Sequence, residues 1–149
     1  MGKKPRQKSP SLASRLEPAP HKVASAASNF SHHNLRPSWR VASLELVDPY
    51  GWHRLSAERL LYIRQKLAQF ETMTWSELLV HAKKRNHSIK ISDITPEARD
   101  RLEIIGLALD EVVSLRLSGK ERVFGYLDNG VLELLWWDPE HQVCPSLRE

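Results

Sequence analysis

Leu115-Arg-Leu-Ser-Gly-Lys-Glu-Arg-Val-Phe-Gly-Tyr-Leu-Asp-Asn-Gly-Val-Leu-Glu-Leu-Leu-Trp-Trp-Asp-Pro-Glu-His-Gln-Val-Cys144 reads as three consecutive antiparallel strands, the first of them entered from Glu111. Asn129-Gly130 suits a two-residue type I′ turn, whose central residues both need positive φ, and apolar-rich strands flank it. Counting outward pairs Asp128 with Val131, Leu127 with Leu132, Tyr126 with Glu133, Gly125 with Leu134, Phe124 with Leu135, Val123 with Trp136 and Arg122 with Trp137. Side chains alternate across a strand, so the pairs sort into two faces. Leu127, Leu132, Gly125, Leu134, Val123 and Trp136 form an apolar face that reads as core. Tyr126, Glu133, Phe124, Leu135, Arg122 and Trp137 form a mixed face, the candidate site. Ser118-Gly119-Lys120 closes the first hairpin with a loop of two or three residues. A slip of one residue moves Arg116 to the other side, so its face stays open.

Upstream, Trp39–Leu46 alternates and reads as a first strand, followed by a turn at Asp48-Pro-Tyr-Gly51. Ser56 caps a helix carrying Leu60, Leu61, Ile63, Leu67 and Phe70 as its stripe, with Glu58 in the first turn. Thr74-Trp-Ser-Glu77 is a capping box that opens a second helix with Leu78, Leu79 and Ala82 inward. Ser88–Ile91 is a short extended piece, and Thr95-Pro96-Glu97 starts a third helix lined by Ala98, Leu102 and Ile105 and ended by Gly106. The order predicts an α+β domain over residues 37–149, an antiparallel sheet of about four strands (β-α-α-α-β-β-β) with helices on one face.

Charge divides the chain. Residues 1–40 carry eight Lys and Arg against Glu17 alone, a net +7, so the chain's +4 leaves the remainder at −3. Residues 1–36, rich in Lys, Arg, Ser, Ala and Pro, have the composition of a disordered basic arm. Such an arm is either a solvated extension, a source of salt-sensitive affinity for RNA, or an Arg-rich transit peptide. No apolar run has membrane-spanning length and no secretory h-region precedes the domain. One cysteine, Cys144, fits a reducing compartment, so a cytoplasmic location is expected.

Ser114-Leu-Arg-Leu-Ser-Gly-Lys-Glu-Arg-Val-Phe-Gly125, followed by a hairpin that ends near a His, resembles the RelE/YoeB-type toxin superfamily. That family carries an S-x-R-[IL] strand, an x-R-[VL]-[VFY]-Y-like strand and a terminal aromatic/His segment. The resemblance covers roughly residues 95–143 by motif and 39–94 by element order. The Leu135-Trp-Trp-Asp-Pro-x-His141-x-Val143 ending is also similar to that of some small bacterial proteins. The resemblance implies a small ribonuclease that cleaves mRNA, typically on the ribosome, and is opposed by an antitoxin protein. It implies that Arg122 contacts phosphate, that Arg116 is a second such Arg, and that His141 stands near the terminal catalytic His. Glu103 has a spacing to Arg122 like that of the family's catalytic Glu. Gly125 stands where the family usually has Tyr.

Metal-independent RNA cleavage needs a base for the 2′-OH, an acid for the leaving oxygen, and cations on the phosphate. His141 is an acid or base near neutral pH, Arg122 and Arg116 can grip phosphate, and Glu133 or Glu121 completes the pair. Trp137 or Tyr126 can stack on a base. The plainer alternatives are Arg122 lying over Trp137 as a cation–π pair and His141 as a turn residue beside Asp138-Pro139. Asp138, His141 and Cys144, joined by His53 or His81, lack the paired spacing of a zinc site, so no metal and no small-molecule cofactor is expected. Two functions follow: a toxin-type endoribonuclease, or a non-catalytic protein- or RNA-binding module on the same fold.

Overall fold

The computed structural model describes Gly2 and residues 32–145. The expected basic arm falls largely on residues outside that range. Its last part, from His32 onward, is docked: the carbonyls of His33 and Leu35 accept the N–H groups of Ser76 and Trp75 at 2.9 Å.

Strands β1 (Ser38–Arg40), β2 (His87–Lys90), β3 (Glu111–Ser118), β4 (Glu121–Asp128) and β5 (Val131–Asp138) form one sheet in the order β1-β5-β4-β3-β2. Helix α1 (Ala57–Phe70), a π-helical turn (Glu77–His81) and helix α2 (Pro96–Ile104) supply the remaining layers. The fold class is α+β, as the element order implies. The sheet has five strands rather than four, since the short piece at 87–90 joins β3, and it is mixed because β1 runs parallel to β5. The expected strand over 39–46 stops at Arg40, turns at Val41–Leu44, and touches the sheet again where Glu45 N–H bonds the Leu135 carbonyl at 2.9 Å.

Local chemistry explains the helix starts. Ser56 Oγ accepts the Arg59 N–H at 3.1 Å. Thr74 and Glu77 cap each other's N–H groups at 3.2 and 3.3 Å, although the segment they open is one π-helical turn. Thr95 Oγ1 accepts from Ala98 N–H ahead of Pro96. At the other end of α2, Gly106 takes φ 76° while its N–H and that of Leu107 return to the carbonyls of Glu103 and Leu102, a Schellman closure.

Helices cover both sheet faces, not one. Ile63 and Phe70 of α1 pack with Trp75, Leu78, Val113, Leu115, Val123, Leu134 and Trp137. Ala98 and Leu102 of α2 pack on the opposite face with Ile89, Val112, Phe124, Leu135, Trp136 and Val143. Leu60 and Leu61, expected inward, are exposed; Arg59 and Tyr62 take the inward places there, bonding Glu121 and the Leu117 carbonyl.

The Asn129-Gly130 turn forms with φ of 52° and 84°, and the pairing holds from Asp128–Val131 to Gly125–Leu134. A bulge then admits Leu135 as an extra residue, so Phe124 pairs with Trp136, Val123 with Trp137 and Arg122 with Asp138. The residues of β5 beyond the bulge change face relative to the uninterrupted count, while those of β4 keep theirs. Trp137 therefore lies on the α1 face with Val123, and Trp136 on the α2 face with Phe124. Gly125 accommodates the bulge, since a Cβ there collides with the Glu133 carbonyl.

Candidate functional site

One end of the sheet collects three turns. The β3–β4 hairpin (118–121), the turn after β5 (138–143) and the turn before β2 (82–86) meet there, as the registers Arg116–Arg122, Arg122–Asp138 and His87–Ser114 require. The open question about Arg116 is settled by a bulge at Leu117, which sets Arg116 directly opposite Arg122 and so on the same face. Both guanidiniums converge on the Gly119 carbonyl, from Arg116 Nε at 3.2 Å and Arg122 Nη1 at 2.6 Å. Arg122 is 5% exposed and also donates to the Glu121 carbonyl at 3.2 Å. Lys120 stands exposed at the hairpin tip.

Asn86 ties the neighbouring turn to this hairpin. Its side-chain oxygen accepts the Arg116 N–H at 3.0 Å and its amide donates to the Leu78 carbonyl at 3.4 Å. The turn carries Lys83, Lys84 and Arg85, all exposed, and from 78 to 92 the chain has no acidic residue. At the third turn Asp138 is buried, its carboxylate accepting the N–H groups of Gln142 and Val143 at 2.9 and 2.8 Å. His141 sits inside that loop at φ 58°. Among the described residues of these three turns, the acids are Glu121, Asp138 and exposed Glu140, and the first two are engaged.

Behind the basic end lie two matched clamps. Trp136 donates its indole N–H to Glu45 at 2.7 Å, and Arg101 of α2 grips the same carboxylate, with Nε at 3.2 Å. On the other face Trp137 donates to Glu121 at 2.9 Å, and Arg59 of α1 grips that carboxylate, with Nε at 3.3 Å. Each tryptophan of the tandem thus reaches a buried carboxylate through one sheet face, and the covering helix supplies the counter-charge. A buried indole N–H needs an acceptor, and a buried carboxylate needs a cation; each clamp meets both requirements. Glu45 in turn holds the Arg101 guanidinium further toward its charged form.

The sequence-predicted site residues are dispersed by this geometry. Arg116 and Arg122 are brought together, and the His141 turn lies beyond the same end of the sheet. Glu133 lies nearer the other end, opposite Tyr126, bonded to Arg40 at 3.3 Å. Tyr126 is half-buried, bonded to Ser43, and burial pushes its phenol up. Trp137 is 9% exposed and on the opposite face from Arg122, so neither the stacking role nor the Arg122–Trp137 cation–π pair forms as counted; the bulge at Leu135 is the reason. Glu121 is the acceptor of the α1-face clamp rather than a free base. Glu103 lies on α2, where it lines a cleft of about 430 Å³ with Arg99, Leu102 and Leu107.

Among the described residues, no three His, Cys, Asp or Glu side chains gather to hold a metal ion. Cys144, weighed with Asp138 and His141, is buried with Sγ 3.2 Å from the Asp93 carbonyl. No described helix is long and apolar enough to cross a membrane. The residues sequence reasoning missed are the clamp partners Glu45, Arg59 and Arg101 and the turn Lys83-Lys84-Arg85; the acid-free run from 78 to 92 was the available signal for the turn. No family model, curated protein or solved structure matches the chain.

Proposed function

We propose that the chain is an RNA-binding module of the cytoplasm that engages phosphate with the basic end of its sheet, without cleaving the bound strand. The observation that carries this reading is the joining of two cationic turns through Asn86: exposed Lys83, Lys84 and Arg85 on one side, exposed Lys120 and half-buried Arg116 on the other, with Arg122 buried beneath the hairpin. Fixed cations spaced along one end suit a regular polyanion, and phosphate contacts dominate nucleic-acid affinity. Cleavage wants a second acid–base group beside His141, but Glu133 bonds Arg40 nearer the other end, Glu121 serves the Trp137 clamp, and the Asp138 carboxylate is taken up by the N–H groups of its own turn.

The toxin-type endoribonuclease is a second reading, favoured by one specific placement: the His141 turn and the Arg116–Arg122 pair share an end of the sheet. By the resemblance, its partners would be mRNA, typically on the ribosome, and an antitoxin protein. Two measurements separate the readings. Affinity for a labelled RNA should fall at least tenfold in Lys83→Gln/Lys84→Gln/Arg85→Gln, and unchanged affinity would overturn the binding reading. The length of a translated mRNA on a gel, with ribosomes present, should stay constant during incubation. Cleavage by the wild type that disappears in His141→Asn would establish the nuclease instead; Asn tolerates the left-handed backbone held at 141.

A further inference from the structure

We propose that the ligand of the basic end is the phosphate backbone of a nucleic-acid duplex rather than a single strand, an inference that rests on the RNA-binding reading above. Single-strand binders combine a cationic groove with aromatic rings on which bases stack. Here the tandem tryptophans are 0% and 9% exposed, with both indole N–H groups committed to carboxylates inside. Phe124 is fully buried. Tyr62, at the edge of the same end, has Arg59 4.4 Å over its ring and its hydroxyl on the Leu117 carbonyl. Trp52 is partly buried and packed into the α1-face core. Among the described residues, no tryptophan, tyrosine or phenylalanine near these turns presents an open face to a base.

What the end offers is charge held on a frame. Lys120 projects from a two-residue hairpin whose Gly119 carbonyl is gripped by Arg116 and Arg122. Lys83, Lys84 and Arg85 project from a turn fixed to that hairpin through Asn86. Cations on a frame match a ligand whose phosphates are themselves regularly placed. A duplex supplies that regularity and the higher charge density; a single strand would have to be ordered first, at an entropic cost. Recognition of this kind reads shape and backbone, not base edges.

Counterion release gives the size of the effect. Four exposed cations (Lys83, Lys84, Arg85 and Lys120) on a duplex contribute a slope of about −3.6 to log K against log salt, at about −0.9 per phosphate. Charges in residues 1–31 add their own slope, so the difference between wild type and variant isolates the basic end. The full-length chain and its Lys83→Gln/Lys84→Gln/Arg85→Gln/Lys120→Gln variant are titrated by fluorescence anisotropy. The probes are duplex RNA, duplex DNA and single-stranded RNA of equal length and unrelated sequences, over a range of salt. The expected result is duplex binding at least tenfold tighter than single-strand binding, little dependence on sequence, and a slope about 3 to 4 shallower in the variant. Preference for duplex RNA over duplex DNA would identify the A-form backbone as the ligand, and equal binding the phosphate array common to both. Single-stranded RNA bound as tightly as duplex would overturn the inference while leaving RNA binding intact. Failure to bind any of the three would remove both.

Discussion

Replacing Glu45 by Ala tests the clamp that fixes Trp136 and α2 to the sheet. Glu45 is 8% exposed, and its carboxylate accepts the Trp136 indole N–H at 2.7 Å and the two-pronged Arg101 guanidinium. Removing it leaves a buried indole donor without its acceptor, which costs about 1–3 kcal/mol. It also leaves a largely buried guanidinium without its counter-charge, a loss of about 3–5 kcal/mol when one partner of a buried pair is deleted. The two penalties share one site and do not add fully, so the expected loss is about 3–5 kcal/mol. A domain of this size has about 5–15 kcal/mol of stability in all, so the variant stays measurable but marginal. Urea unfolding followed by tryptophan fluorescence is the assay, read as a midpoint shift at constant slope. Arg101→Met in the Glu45→Ala background should recover part of the loss, because it removes the stranded charge. A Glu45→Ala variant within about 0.5 kcal/mol of wild type would refute the reasoning and mean that Trp136 and Arg101 find other partners.

Gly125→Ala should destabilise by about 1–3 kcal/mol, because the added methyl meets the Glu133 carbonyl at the bulge, and amide exchange across β4–β5 should rise in the same variant. Alkaline stability follows from Tyr50 and Tyr126, whose phenols burial pushes above the usual 10.0. Each group binds its proton more tightly folded than unfolded. Its contribution is therefore fully present below about pH 10 and is lost as pH rises through the folded values. Thermal melts between pH 8 and 11 should fall at the alkaline end, and the fall should be shallower in Tyr126→Phe; an unchanged profile in that variant would contradict it.

The places where the sequence was legible share one property: a single residue carried the signal. Asn129-Gly130 demanded positive φ and set the hairpin; Ser56, Thr74 and Thr95 marked helix starts; Gly106 closed α2. Register failed where it depended on unbroken alternation. The seven pairs counted from the turn assume no bulge, and the one at Leu135 moved both tryptophans to new faces. Gly125 was the available clue, since a lone glycine inside a strand marks a bulge or a close backbone approach. The parallel strand β1 had no local signature either, because its partner lies 93 positions away and pairing at that distance is a tertiary outcome. The site suffered for the same reason. Arg116 and Arg122 could be proposed from the family resemblance and from the mixed face of the hairpin, but the clamps that occupy Glu121 and bury Trp137 are visible only once α1 packs on the sheet.

Binding through the basic end is the central claim, and a map of the contacted amides tests it most directly. A duplex RNA would be titrated into the ¹⁵N-labelled full-length chain while amide shifts are followed. The expected result is that, within the folded body, the largest changes fall at residues 83–87, 116–122 and 139–142, the three turns that meet at one end of the sheet. Largest changes around the 128–131 hairpin, or in the cleft of Arg99, Glu103 and Leu107, would contradict the account.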